Sequence, residues 1–124
     1  MKETLAPGID HEATFTVTPD MSPAHLRPVV VLATPIMIRL IEETCLSSVL
    51  DHLDDGETTV GTHVCVSHTG AAREGEEVKV VARLAKVERR RLTFEVEVHA
   101  PAGRISDGTH ERAVIDTARF RGAG

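Results

Sequence analysis

The stretch Thr34-Pro35-Ile36-Met37-Ile38-Arg39-Leu40-Ile41-Glu42-Glu43-Thr44-Cys45-Leu46-Ser47-Ser48-Val49-Leu50-Asp51-His52-Leu53 decides the fold. Ile36, Met37, Leu40, Ile41, Cys45, Val49 and Leu53 recur at helical spacing and form a wide apolar face. Ile38 and Leu46 widen it, so the first turns are expected to be buried nearly all round. Thr34 suits the N-cap and Pro35 the first helical position. Asp54-Asp55-Gly56 is expected to end the helix, with Gly56 in the left-handed cap.

The rest of the chain reads as strands and turns. Ala13, Phe15 and Val17 alternate with polar residues from Asp10 to Thr18, which predicts a half-buried strand. Met1 to Gly8 is expected to be a loose lead-in. Pro19 to Pro28 carries three prolines and reads as a loop long enough to cover a site. After the helix, strands are predicted over Thr58–His68, Val78–Val87, Leu92–Val98 and Arg104–Phe120. Gly70 and Gly75, Glu88 to Arg91, and Pro101-Ala102-Gly103 mark the turns between them. One helix cannot cover both faces of such a sheet. The simple solution is an α+β layer, an antiparallel sheet of about five strands wrapped around one long central helix, which is the hot-dog architecture. Its edge strand is best removed by pairing with a second copy, so a homodimer is expected.

Composition narrows the function. The 124 residues predict one domain spanning the whole chain. A net charge of −5, three Phe, and neither Trp nor Tyr argue against nucleic acid as the main ligand. The most apolar run, Val29 to Ile41, is too short to span a membrane and contains Pro35 and Arg39. The start of the chain lacks a basic-then-apolar leader, so a cytoplasmic location is expected. Cys45 and Cys65 both lie in apolar patterns and read as buried reduced thiols, and with no CxxC a metal site is not expected.

Three side chains carry possible chemistry. His68 closes a strand-like run just before Gly70; it is either a surface or satisfied structural histidine, or an imidazole that reaches a cleft and serves as base. Glu42 lies two turns into the helix, flanked by Ile38, Cys45, Leu46 and Val49. It is either part of a solvated face with Arg39 and Glu43, or a carboxylate in an apolar setting that marks a site. Thr34 is either a cap alone or a hydroxyl at a helix end that attracts an oxyanion. Arg112 is either half of a cross-strand ion pair or a contact for a carbonyl or phosphate. The Glu88–Arg91 tip reads as solvated, with cofactor phosphates as the competing use.

With these residues in view, the chain resembles the fluoroacetyl-CoA thioesterase-like group of hot-dog thioesterases. The likeness rests on Ala33-Thr34 leading to Leu40-Ile41-Glu42, on Gly61-Thr62, on Cys65-Val66-Ser67-His68-Thr69, and on Gly108-Thr109-His110-Glu111-Arg112-Ala113-Val114-Ile115. It runs from about Gly8 to Phe120. The resemblance implies that Thr34, Glu42 and His68 are catalytic, that Gly61 and Arg112 lie by the acyl group, and that the site sits at a dimer interface without a metal. It implies an acyl-CoA thioesterase that needs no cofactor beyond the CoA of its substrate. A non-catalytic acyl-CoA binder and a hydratase or dehydratase are the alternatives. Two departures stand out. The family's lid phenylalanines have no counterpart between His25 and Val31, and Pro35 stands where the family has glycine.

Overall fold

A computed structural model describes residues 1–122. Its elements are β1 (Asp10–Thr16), α1 (Thr34–Val49), β2 (Glu57–Val66), β3 (Glu77–Glu88), β4 (Arg91–Ala100), β5 (Gly103–Asp116) and α2 (Thr117–Gly122). Short 3-10 turns occupy Pro19–Met21, Ala24–Leu26 and Leu50–His52. The five strands form one antiparallel sheet in the order β1-β3-β4-β5-β2, so β1 and β2 are the edges. The sheet wraps around α1.

Period-2 alternation explains the strands. Val78, Val80, Ala82 and Leu84 of β3 are buried, as are Leu92, Phe94, Val96 and Val98 of β4, while their neighbours face out. Met37, Leu40, Ile41, Cys45 and Val49 of α1 pack into this concave face. Burying each such large side chain contributes about 1.5–3 kcal/mol. Thr44 and Ser48 are also buried on the helix and donate their hydroxyls back to the carbonyls of Leu40 (2.8 Å) and Cys45 (2.6 Å). No partner from another element is then needed.

β2 breaks its own alternation. Its pairing with β5 shifts between Gly61 and His63, a bulge that leaves two β2 steps against one of β5. Before the bulge Thr59 and Gly61 oppose the inward-facing Val114 and Arg112; after it Val64 and Val66 oppose His110 and Gly108. The outward phase after the bulge holds His63 and Cys65, both exposed. This corrects the expectation that Cys65 is buried: the bulge turns it out to solvent, whereas Cys45 is buried as expected.

Other expectations are also corrected. The α-helix stops at Val49 and continues only as a 3-10 turn, while Gly56 does take a left-handed conformation (φ +84°) just before β2. The helix start is not buried all round: Thr34 and Pro35 are exposed, and Ile36 and Ile38 are half-buried. The last strand ends at Asp116, whose carboxylate accepts from the amides of Ala118 and Arg119 and so starts α2. Met1 to Gly8 is not loose. Leu5 is buried in the core, Lys2 N–H donates to His52 O, and Gly8 N–H donates to Leu84 O.

The β2–β5 pair depends on Gly108. Its φ is +153°, and a Cβ there would fall 2.0 Å from the carbonyl oxygen of Cys65. Gly108→Ala is therefore expected to lower the unfolding free energy by at least about 2 kcal/mol. Urea unfolding would measure it, and a loss below half that figure would contradict the close approach.

Candidate active site

Two groups of polar side chains lie on the inner face. The first is at the start of α1. Ala33 is the cap residue and makes no side-chain cap bond, so Thr34 falls inside the first turn instead of capping it. Its hydroxyl is hydrogen-bonded to Nδ1 of His68, at 2.7 Å. His68 lies just beyond β2, but the pairing with β5 continues around it. Ser67 N–H donates to Asp107 O (3.0 Å) and Thr69 N–H to Ile105 O (2.8 Å), which sets His68 opposite Ser106 on the inner face. The Pro19–Pro28 loop reaches this end, since Ala33 N–H donates to Met21 O. Met37 N–H to Ala33 O is the first helical bond, and Pro35 has no amide hydrogen. The Thr34 and Ile36 amides are then the open donors at a helix end that favours negative charge.

The second group lies two turns further along the helix, about 12 Å by helical rise. Here the half-buried Glu42 carboxylate points at Gly61 of β2. A Cβ on Gly61 would lie 3.1 Å from Glu42 Oε1, 3.2 Å from His110 Cε1 and 3.5 Å from Arg112 Nη1. Glycine is what leaves this cleft open. Arg112 is buried and is not an exposed ion-pair partner. It donates from Nε to Thr59 Oγ1 (2.7 Å), from Nη2 to Thr59 O (3.0 Å) and from Nη1 to His110 Nε2 (3.1 Å). These bonds offset the cost of burying a guanidinium. Burial pulls the Arg112 pKa below its ordinary value, and the nearby Glu42 charge opposes that. Burial pushes the Cys45 thiol up to about 12, so it stays protonated and is no nucleophile.

Thr34 with His68, and Glu42 with Gly61 and Arg112, are thus brought together as two sets, and no hydrogen bond joins the sets among the described residues. His110 and Thr59 are the residues that sequence reasoning missed. The signal was present for His110: it shares the inward phase of β5 with Arg112 and Val114. At the β3–β4 tip, Arg90 is held by Glu57 (3.0 Å) and Val114 O (3.0 Å), leaving Arg89 and Arg91 to solvent.

A curled antiparallel sheet on one helix is the hot-dog architecture, and a hydroxyl–imidazole pair at the helix start with a carboxylate two turns on supplies groups that thioester hydrolysis can use. Comparison with known proteins narrows this. The family model described as fluoroacetyl-CoA-specific thioesterase (FlK) matches residues 11–118, and the chain belongs to that family of acyl-CoA thioester hydrolases. It is 38% identical over 128 residues to the fluoroacetyl-CoA thioesterase of Streptantibioticus cattleyicolor, covering 97% of this chain and 92% of that one. A solved structure of FlK is similar with TM-score 0.90 and 36% identity, over 96% of this chain and 94% of that one. An FlK mutant in complex with fluoroacetate and CoA gives TM-score 0.86 and 37% identity, over 94% and 99%. A thioesterase superfamily member from Thermus thermophilus gives 0.85 and 28%, over 96% and 90%.

Burial also holds the His110 imidazole below its ordinary 6.5. The unfolded chain therefore takes up a proton near 6.5, and the folded protein only at lower pH. The stability tied to the neutral ring is full above 6.5 and is lost as pH falls through 6.5 toward the folded value. Urea unfolding from about pH 8 to about pH 5 should show a steeper acid loss in the native protein than in His110→Gln. Equal slopes would mean that the ring titrates alike in both states.

Proposed function

We propose that the protein hydrolyses a small acyl-CoA thioester to the free acid and CoA, in a cytoplasmic homodimer whose two sites each draw on both subunits. The observation that carries this is the Thr34–His68 hydrogen bond at one end of the inner face, with the Glu42 carboxylate, which has no ion-pair partner among the described residues, at Gly61 toward the other. The groups needed to cleave a thioester are present but divided. The free outer edge of β2 lies between them, exposed from Gly61 to His63 and at Cys65. Antiparallel pairing of two β2 edges about an axis near Val64–Cys65 would set His68 of one protomer beside Gly61 of the partner subunit. Thr34 and His68 would then face Glu42 of the partner subunit across one acyl carbonyl.

In this reading His68 takes and returns the proton, and Thr34 supplies the hydroxyl that it holds. The open amides at the α1 start and the helix dipole favour the oxyanion. Glu42 attacks the carbonyl or charges and orients the attacking water. Gly61 and Arg112 bound the acyl end, and a side chain at Gly61 would crowd Glu42, His110 and Arg112. The relatives' names concern fluoroacetyl-CoA; with no lid phenylalanine between His25 and Val31, we assign this chain a small acyl group without fluorine selectivity. No helix of the described residues is long and apolar enough to cross a membrane, and both cysteines are free, which suits a reducing compartment. The hydroxyl, imidazole and carboxylate suffice for hydrolysis, so no cofactor beyond the CoA of the substrate is assigned.

His68→Ala and Glu42→Gln should each fold and lose thiol release from acyl-CoA by about 10²-fold or more. Unfolding and reassociating the two variants together should restore roughly a quarter of wild-type activity, because half of the dimers would be mixed and each would hold one intact site. No recovery in a demonstrated mixed dimer would show that each site belongs to one chain. Wild-type turnover by His68→Ala would remove the mechanism.

A further inference from the structure

We propose that His110 is a positioning residue for the hydrolytic site: as a neutral ring it locks the β2 bulge through His63 and holds Arg112 beside Glu42. The inference rests on the hydrolytic reading above and extends it to a side chain that touches no reacting atom.

Gly61 and His68 are an odd number of residues apart, so an unbroken strand would point them to opposite faces of the sheet. The bulge between Gly61 and His63 is what brings both onto the inner face. One side chain is anchored at that bulge. His110, fully buried on β5, shares a hydrogen from Nδ1 with the carbonyl oxygen of His63, at 2.8 Å. A carbonyl can only accept, so Nδ1 carries the proton. On the other side of the ring, Nε2 lies 3.1 Å from Arg112 Nη1. A guanidinium can only donate, so Nε2 accepts. The two contacts together fix one tautomer and exclude the imidazolium.

The surroundings are consistent with this. Phe94 of β4 stacks on the ring (centroids 6.5 Å apart, planes at 28°) and keeps water away. The charged groups nearest the ring on the inner face are Arg112 on β5 itself and Glu42 from α1, while the exposed His63 side chain acts on it more weakly from the outer face of β2. Arg112 opposes a second positive charge and Glu42 favours it, with burial the largest effect and against it. Protonation would set N–H against N–H at Arg112. The arrangement at Gly61 and Glu42 would be lost with it, and turnover should fall on the acid side.

Two readouts test the proposal on the full-length protein. Imidazole nitrogen NMR should find His110 protonated on Nδ1 alone at neutral pH, and a proton on Nε2 would overturn the assignment. Steady-state kinetics across pH should show His110→Phe lowering kcat by about ten- to hundredfold with KM changed less than about twofold. His110→Gln keeps one donor and one acceptor without a titrating proton. It should recover most of that turnover at neutral pH. Wild-type kcat and pH profile in His110→Phe would refute a positioning role. If His110→Phe does not fold, His110→Ala decides in its place, and wild-type kcat in His110→Ala would refute a positioning role. The NMR result does not depend on turnover: a Nδ1–H ring in a protein that releases no thiol from any acyl-CoA would count against hydrolysis and leave the tautomer assignment standing.

Discussion

A single irregularity in strand pairing governs the site. Without the bulge after Gly61, the strand that carries both Gly61 and His68 would present only one of them to the helix. The constraint that enforces the bulge is electrostatic. A guanidinium buried on β5 has to find acceptors, and an unpaired buried charge costs several kcal/mol. Arg112 finds them in the hydroxyl and carbonyl of Thr59, before the bulge, and in His110. His110 in turn is tied to the carbonyl after it. The polar network spans the break in the ladder, and slipping the register by one residue would strand several buried groups at once.

That network explains why part of the structure was legible in the sequence and part was not. The helix, the five strands and the wrapped arrangement follow from two periods, 3.6 and 2, that compete nowhere in the chain. Thr34, Glu42 and His68 stood out because polar groups in apolar segments need a reason. The alternation of β2 misled, because its written phase groups Gly61 with His63 and Cys65, and a bulge leaves no composition signal beyond one glycine. Cys65 was misplaced for that reason. The helical end at Thr117 was missed because its cap, Asp116, also completes the strand's alternation. Leu5 had too little apolar sequence around it to announce that it packs.

The separation of the two polar sets also follows from geometry. A helix advances about 1.5 Å per residue, so the eight-residue step from Thr34 to Glu42 places them about 12 Å apart, beyond the reach of one acyl carbonyl. A helix therefore cannot converge its own Thr34 and Glu42. It can present them to two different openings, one at each end of a shared strand edge. Two-fold pairing of such edges interleaves unlike ends, which a monomer with the same residues cannot do.

The start of α1 shows what this arrangement costs. A Ser, Thr, Asp or Asn at a helix N-cap is worth roughly 0.5–2 kcal/mol, and here the cap is Ala33 with no side-chain bond. The nearest hydroxyl, one residue on, is given to His68 instead. Pro35 limits the loss, since it brings no amide that needs an acceptor and its φ already suits the first turn. The remaining amides of Thr34 and Ile36 stay open at an exposed helix end, where the backbone dipole is unscreened by any side-chain cap. A better-capped helix would be more stable, but its capping oxygen would occupy the open helix end that the proposed mechanism reserves for the oxyanion.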